Sequence, residues 1–306
     1  MAFRDVIEAV RREVRRFLYP PPPTPRAAKV AAKQVIGPIA RLVVADEVSR
    51  TLFAEYAAHR ASSRGHEEIG WTLLGIRQDD EAIVLATLPA GVNRSAGATH
   101  VQFNSIAQEL ACRIVRQSHR QLMPLGLLHT HPGSMRHPSD GDYRGDINWV
   151  EGLRGGQGVF GIGTASEQPG RVPAVHEQER ESLTFSWYTL SAGERNYRDV
   201  PVSIEPGPDL ALELRTVWDE IETHAGRLNS LAGQLALVRF AIGSGSQKPA
   251  LIVRVALVDN ARSIEVMMEG KDVRYFVADG SQIMVAEFRD DRVDRGVYAM
   301  LTELSR

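Results

Sequence analysis

The chain has 306 residues with 36 basic and 38 acidic side chains, a net charge of −2 and a pI near 6.5. At about 150 residues per domain this gives two domains with proper cores, and a charge balance that disfavours nucleic acid as a partner. No apolar run approaches the roughly 18 residues of a membrane helix, and the N-terminus is too charged for a secretory signal. The single cysteine, Cys112, excludes an internal disulfide framework, so a reducing, cytoplasmic location is expected.

In chain order, Phe3, Val6, Ile7, Val10, Val14, Phe17 and Leu18 predict an amphipathic helix with five arginines between them. It would dock on a membrane or a partner, or pack on its own protein. The Pro20–Pro23 run ends it and begins a stiff linker. Val35–Val44 reads as a strand, with Asp46 capping a helix over 47–60. Residues 69–76 and 82–87 read as a hairpin, 103–119 as a helix containing Cys112 as a core thiol, and Leu125–His131 as a strand. A Pro/Gly/Ser loop, a helix over 139–153, the strand Val159–Thr164, a polar loop over 165–182 and the strand Leu183–Leu190 follow. This order predicts an α/β or α+β domain over 25–205, after an N-terminal segment 1–24.

Pro206-Gly207-Pro208-Asp209 marks the start of an accessory domain over 206–306. Leu210, Leu214, Val217, Ile221, His224, Leu228, Leu231, Leu235 and Val238 form a heptad seam that predicts a helix of about 30 residues. A homodimer through 210–238 is one use of that seam, and internal packing is the other. Four strands, near 250–258, 262–268, 272–278 and 282–289, and a helix over 293–305 complete the tail. Turns are expected at Asp259-Asn260, Gly270 and Asp279-Gly280.

The chemistry concentrates in residues 129–142, HTHPGSMRHPSDGD. His129 and His131, two apart on a strand, point to one face and can reach one metal ion. Asp142 supplies a third, anionic ligand. Two histidines and a carboxylate leave one tetrahedral position of Zn²⁺ open, the pattern of a catalytic site, and such an ion lowers the pKa of water towards about 7. A pair of buried histidines is the plainer reading of H-x-H alone. Ser139-x-x-Asp142 also reads as a helix capping box, which would hold Asp142 rigidly. His137 reads as a residue facing solvent or substrate.

His129, His131, Ser139 and Asp142 fit H-x-H, seven residues, S, two residues, D without a gap. This resembles the JAMM (MPN+) zinc metalloprotease family, and Pro132 and Pro138 resemble its bacterial members. The resemblance covers residues 35–190 at most. It implies an MPN-like (cytidine-deaminase-like) core of mixed sheet flanked by helices and one zinc per chain.

It also implies an upstream glutamate in a segment similar to Glu67-Glu68-Ile69-Gly70-Trp71-Thr72-Leu73-Leu74-Gly75. Counting from Glu68 places Gly70, Leu73 and Gly75 as in bacterial members. Trp71 then stands where a glycine is usual, a departure that would reshape the cleft wall. Counting from Glu67 recovers that glycine but shifts Leu and the last Gly by one, so Glu68 is preferred and Glu67 is the alternative general base.

Under the resemblance the glutamate shuttles a proton from the zinc water to the leaving amine, and Ser139 hydrogen-bonds the oxyanion. The implied substrate is a peptide or isopeptide bond after the C-terminus of a ubiquitin-like protein. E1-like and E2-like partners, as in bacterial conjugation operons including antiphage ones, are part of that implication. The alternatives are a protease for a sulfur-carrier conjugate or another peptide, and a non-catalytic MPN-like scaffold.

Overall fold

A computed structural model of the chain describes residues 37–165, 171–257, 262–280 and 282–304, which divide between the units Val35–Arg215 and Thr216–Arg306. The helix read over 3–18, the proline linker and the Asp259-Asn260 turn lie outside the described residues.

The strands of the first unit are β1 (Arg41–Ala45), β2 (Gly70–Gln78), β3 (Glu81–Pro89), β4 (Ser95–Ala96), β5 (Val101–Gln102), β6 (Met123–Thr130), β7 (Gln157–Ala165), β8 (Glu177–Arg180), β9 (Leu183–Ser191), β10 (Arg198–Asp199) and β11 (Val202–Glu205). Its helices are α1 (Asp46–Arg60), α2 (Ser105–Ser118) and α3 (Asp140–Val150). All strands except the small β4–β5 hairpin form one nine-stranded mixed sheet, ordered β10-β9-β7-β6-β2-β3-β1-β11 with β8 beside β9. Strand β6 runs parallel to β7, which demands a crossover connection, and α3 supplies it. The loop entering α3 therefore leaves from the C-terminal end of β6, where open α/β sheets place their ligands.

Side-chain alternation sorts the two faces. Leu128, Val159, Phe185 and Trp187 join the larger core, where α1 contributes Val48, Leu52, Phe53 and Tyr56. Leu127, Phe160 and Leu190 point the other way, against Tyr143, Ile147 and Val150 of α3. Trp71 belongs to the larger core, edge-on to Phe185 with its indole N–H on Glu55, so it does not shape a cleft wall as expected.

Several local readings change. Residues 37–40 stay outside β1, and the residue at the start of α1 is Ala45. Asp46 is already helical, and its carboxylate accepts the Gly207 N–H instead of capping its own helix. The polar loop expected over 165–182 contains β8, whose partner strand β9 compensates for its polar sequence.

The second unit holds α4 (Trp218–Gln234), the antiparallel sheet β12 (Val238–Ser244), β13 (Pro249–Ala256), β14 (Arg262–Glu269), β15 (Asp272–Asp279) and β16 (Gln282–Val285), and α5 (Val293–Leu304). The expected 30-residue helix is thus 17 residues long, preceded by a 3-10 turn over Leu212–Val217. Leu235 is extended, and beyond it buried Val238 and Phe240 alternate with exposed Arg239 and Ala241, a period of two that makes a fifth strand. Ile221, Leu228 and Leu231 are fully buried within one chain, where α4 packs on α5 and β13, so this part of the seam is not an open dimer surface. Among the described residues no helix is long and apolar enough to cross a membrane.

Candidate metal centre

His129 sits on the α3 side of β6, two residues after Leu127, and His131 follows one residue beyond the strand. The His131 N–H continues the β6–β7 pairing by donating to the Gly163 carbonyl at 2.8 Å. Asp142 arrives from the opposite direction, in the first turn of α3. There Ser139 and Asp142 form the capping box read from the sequence: the Asp142 N–H donates to Ser139 Oγ (3.2 Å), and the Ser139 N–H donates to Asp142 Oδ2 (2.6 Å). The box and the helix dipole together fix the carboxylate at the helix N-terminus.

The three side chains converge. His129 Nε2 lies 3.1 Å from His131 Nε2 and 3.2 Å from Asp142 Oδ1, and His131 Nε2 lies 3.4 Å from Asp142 Oδ2. Ligands held about 2.0–2.1 Å from a tetrahedral zinc are separated by about 3.3–3.4 Å, so the set fits such an ion. The tautomer of His131 agrees. Its Nδ1 lies 2.8 Å from the Met135 carbonyl, which only accepts, so Nδ1 carries the hydrogen and Nε2 of the neutral ring presents a lone pair to the site. Burial pulls the His129 pKa down, but Asp142 and Glu68 outweigh it and hold it above the ordinary value. Burial likewise opposes the Asp142 charge, yet the flanking His129 and His131 imidazoles and the Ser139 N–H keep that carboxyl well below the usual range.

Glu68 reaches the site through strand pairing. Thr130 exchanges two hydrogen bonds with Ile69, N–H to carbonyl at 2.9 Å and Oγ1 from the Ile69 N–H at 3.0 Å, which ties the start of β2 to the end of β6. The preceding Glu68 is 4% exposed. Burial raises its pKa more than the nearby imidazoles of His129 and His131 lower it, and the Asp142 charge raises it further. Glu67 points elsewhere. Its carboxylate takes the Arg64 guanidinium at 2.7 Å, and that hydrogen bond, with the charges of Arg64 and Arg94, holds its pKa down.

His137 is exposed and lies 3.1 Å from the Tyr188 hydroxyl. Together with Ser139 it lines an open cleft of about 570 Å³ walled by Tyr143, Tyr188 and Tyr197. Cys112 is half-buried on α2. Sequence reasoning missed Asp146, buried one helical turn after Asp142 and bonded by the Tyr197 hydroxyl at 2.8 Å. The i+4 spacing from Asp142 was its only signal, since Tyr197 lies far along the chain.

Residues 49–178 match the sequence profile of the prokaryotic homologs of the JAB domain. The match supports the JAB/MPN family for this unit. It spans Glu68, His129, His131, Ser139 and Asp142, and the mixed sheet flanked by helices is consistent with a JAB/MPN-like fold. No curated protein matches the chain. Among solved structures, the solution structure of protein DSY2949 from Desulfitobacterium hafniense is 14% identical, with a TM-score of 0.39, covering 55% of this chain and 94% of that one.

Proposed function

We propose that the JAB-like unit is a zinc-dependent peptidase that cleaves a peptide or isopeptide bond following the C-terminus of a ubiquitin-like protein, by deconjugation or precursor processing. The observation that carries this reading is the convergence of His129, His131 and Asp142, with the His131 tautomer already set for a metal, beside a buried carboxylate that is not one of the three. The ubiquitin-like substrate rests on the resemblance of the H-x-H…S-x-x-D motif, and E1-like and E2-like partners belong to the same proposal.

His129 Nε2, His131 Nε2 and Asp142 Oδ1 would hold the ion, which supplies Lewis acidity and lowers the pKa of water towards about 7. Glu68 is suited to hold a proton and release it again, because burial brings its pKa closer to neutrality than an exposed glutamate's. It would accept a proton from the attacking water and deliver it to the departing amine nitrogen. The Ser139 oxygen accepts the Asp142 N–H, which leaves its hydroxyl hydrogen to donate to the oxygen of the attacked carbonyl.

The test is cleavage of a linear ubiquitin-like fusion by matched zinc-loaded proteins. Glu68→Gln should keep fold and zinc while turnover falls by roughly 10²–10⁴-fold. Glu67→Gln should stay within a few-fold of the parent rate. Full activity in both variants would overturn the peptidase mechanism and leave the non-catalytic scaffold. Loss confined to Glu67→Gln would move the role of base to Glu67.

A further inference from the structure

The loop that joins the two halves of the metal centre has little to hold it in place by itself. Gly133, Ser134 and Met135 are exposed, and a Cβ added at Gly133 would meet nothing within 4 Å. Yet the Met135 carbonyl fixes the tautomer and orientation of His131, so the loop must be held from outside. Two struts do this. The Tyr188 hydroxyl, on β9, donates to the Arg136 carbonyl at 2.9 Å. With its one hydrogen committed there, it accepts from His137 Nδ1 at 3.1 Å, pinning the loop at a second residue. The Arg136 guanidinium in turn reaches Glu177 Oε1 at 3.3 Å, at the start of β8.

Both anchors are buried. Tyr188 is 2% exposed, and the Glu177 side chain is 3% exposed. Glu177 accepts the Ala174 N–H at 2.8 Å and the Arg171 guanidinium at 3.0 Å. Burial opposes its charge, but the Ala174 N–H and Arg171 hold the carboxyl below its usual range. Glu177 pairs with Ser186 of β9, two residues before Tyr188, so the two struts stand on one pair of hydrogen-bonded strands.

We infer that Tyr188 and Glu177 are positioning residues for the metal centre, which act through Arg136 and the Met135 carbonyl to aim the His131 imidazole. This rests on the proposed metal site. Neither residue touches a ligand, so their effect should appear in metal binding without any change in the ligand set. Outer partners of metal-bound histidines typically contribute 10–100-fold to affinity, and a loop freed from its struts would lose that contribution.

The experiment uses the full-length chain and reads zinc affinity by chelator competition, together with the visible spectrum of the cobalt-substituted protein. Tyr188→Phe removes one hydroxyl and keeps the ring, and Glu177→Gln removes the charge and keeps the shape. Each should weaken zinc about 10–100-fold and alter the cobalt spectrum, with the metal-free melting temperature close to the parent's. Tyr275→Phe, which removes a buried hydroxyl bonded to the Asp290 carbonyl in the second unit, should leave both readings unchanged. Should Glu177→Gln fail to fold, Tyr188→Phe decides alone. Parent-like affinity and spectrum in Tyr188→Phe, in a protein whose parent binds one zinc lost in His129→Ala His131→Ala, would overturn the inference and leave the metal site standing. Equal zinc in the parent and that double variant would overturn the metal site, and this inference with it.

Discussion

Asp146 shows what one buried carboxyl can do beside the candidate metal centre. Burial raises its pKa to about 6, more than the Tyr197 hydrogen bond and the nearby His129 lower it. The unfolded chain releases that proton near pH 4, the folded chain near pH 6, so the folded state binds more protons between those values. The contribution of Asp146 to the stability of the metal-free protein therefore falls as pH rises from about 4 to 6 and stays lower above. Asn cannot ionise, so Asp146→Asn should stabilise the metal-free protein at pH 7.5 by about 1–3 kcal/mol, with the gain gone by pH 4. Urea denaturation at the two pH values checks this, and an equal effect at both would exclude ionisation as the cause. The contrast with the residues read from the H-x-H…S-x-x-D motif is physical. His129, His131, Ser139 and Asp142 were legible because strand alternation and a capping box convert sequence spacing into geometry. Tyr197, Tyr188 and Glu177 act across more than 40 residues of chain, a distance no local period encodes. Trp71 misled for the converse reason, since a motif position says nothing about which face of β2 a larger side chain takes.

At the scale of elements, β6 carries His129 and leads directly into His131, two of the three candidate ligands, and its close approach to β7 depends on Gly126. A Cβ there would fall 1.6 Å from the Val159 carbonyl oxygen and 2.5 Å from its carbon. These are backbone atoms that no rotamer change can clear, so β6 would have to move away from β7. Gly126→Ala should destabilise by about 3 kcal/mol, the upper end of the usual overpacking range, or more, and should weaken zinc because His129 on the strand and His131 just beyond it would be displaced with it. Gly145, exposed within α3, meets nothing within 4 Å. Gly145→Ala should therefore stabilise by about 0.5–1 kcal/mol through helix propensity. Denaturant midpoints separate the two cases, and a harmless Gly126→Ala would contradict the packing described for β6. Most elements of this unit were legible, because strands such as Leu183–Ser191 and helices such as α2 carry strong apolar periods. The failures came where a period was ambiguous: Leu231, Leu235 and Val238 keep helical spacing by coincidence across a helix end, while the next residues alternate as a strand.

For the whole molecule, the question is where the JAB-like unit ends. Pro206-Gly207-Pro208 breaks the chain direction, and from sequence it reads as a boundary because proline and glycine punctuate local structure whether or not a domain stops there. The following residues remain bound to the first unit. The Gly207 N–H donates to Asp46, and the Asp209 N–H to Glu47. The buried Asp209 carboxylate accepts the Thr87 N–H at 3.1 Å and its hydroxyl at 2.8 Å. Arg215 reaches Glu55 at 2.9 Å and the Thr87 carbonyl at 2.6 Å. A chain ended at Glu205 would leave Thr87, fully buried on β3, without these partners, and unmet buried hydrogen bonds cost about 1–3 kcal/mol each. A chain ended at Arg215 keeps them all and ends where the second unit begins. We therefore expect the form ending at Arg215 to fold and to bind one zinc with the parent's affinity. The form ending at Glu205 should melt at a clearly lower temperature or precipitate. Parallel expression, thermal melting and metal analysis of the two forms decide the matter. Equal stability would show that residues 206–215 merely lie on the first unit, and loss of zinc from both would show that the unit needs the residues beyond Thr216 to fold.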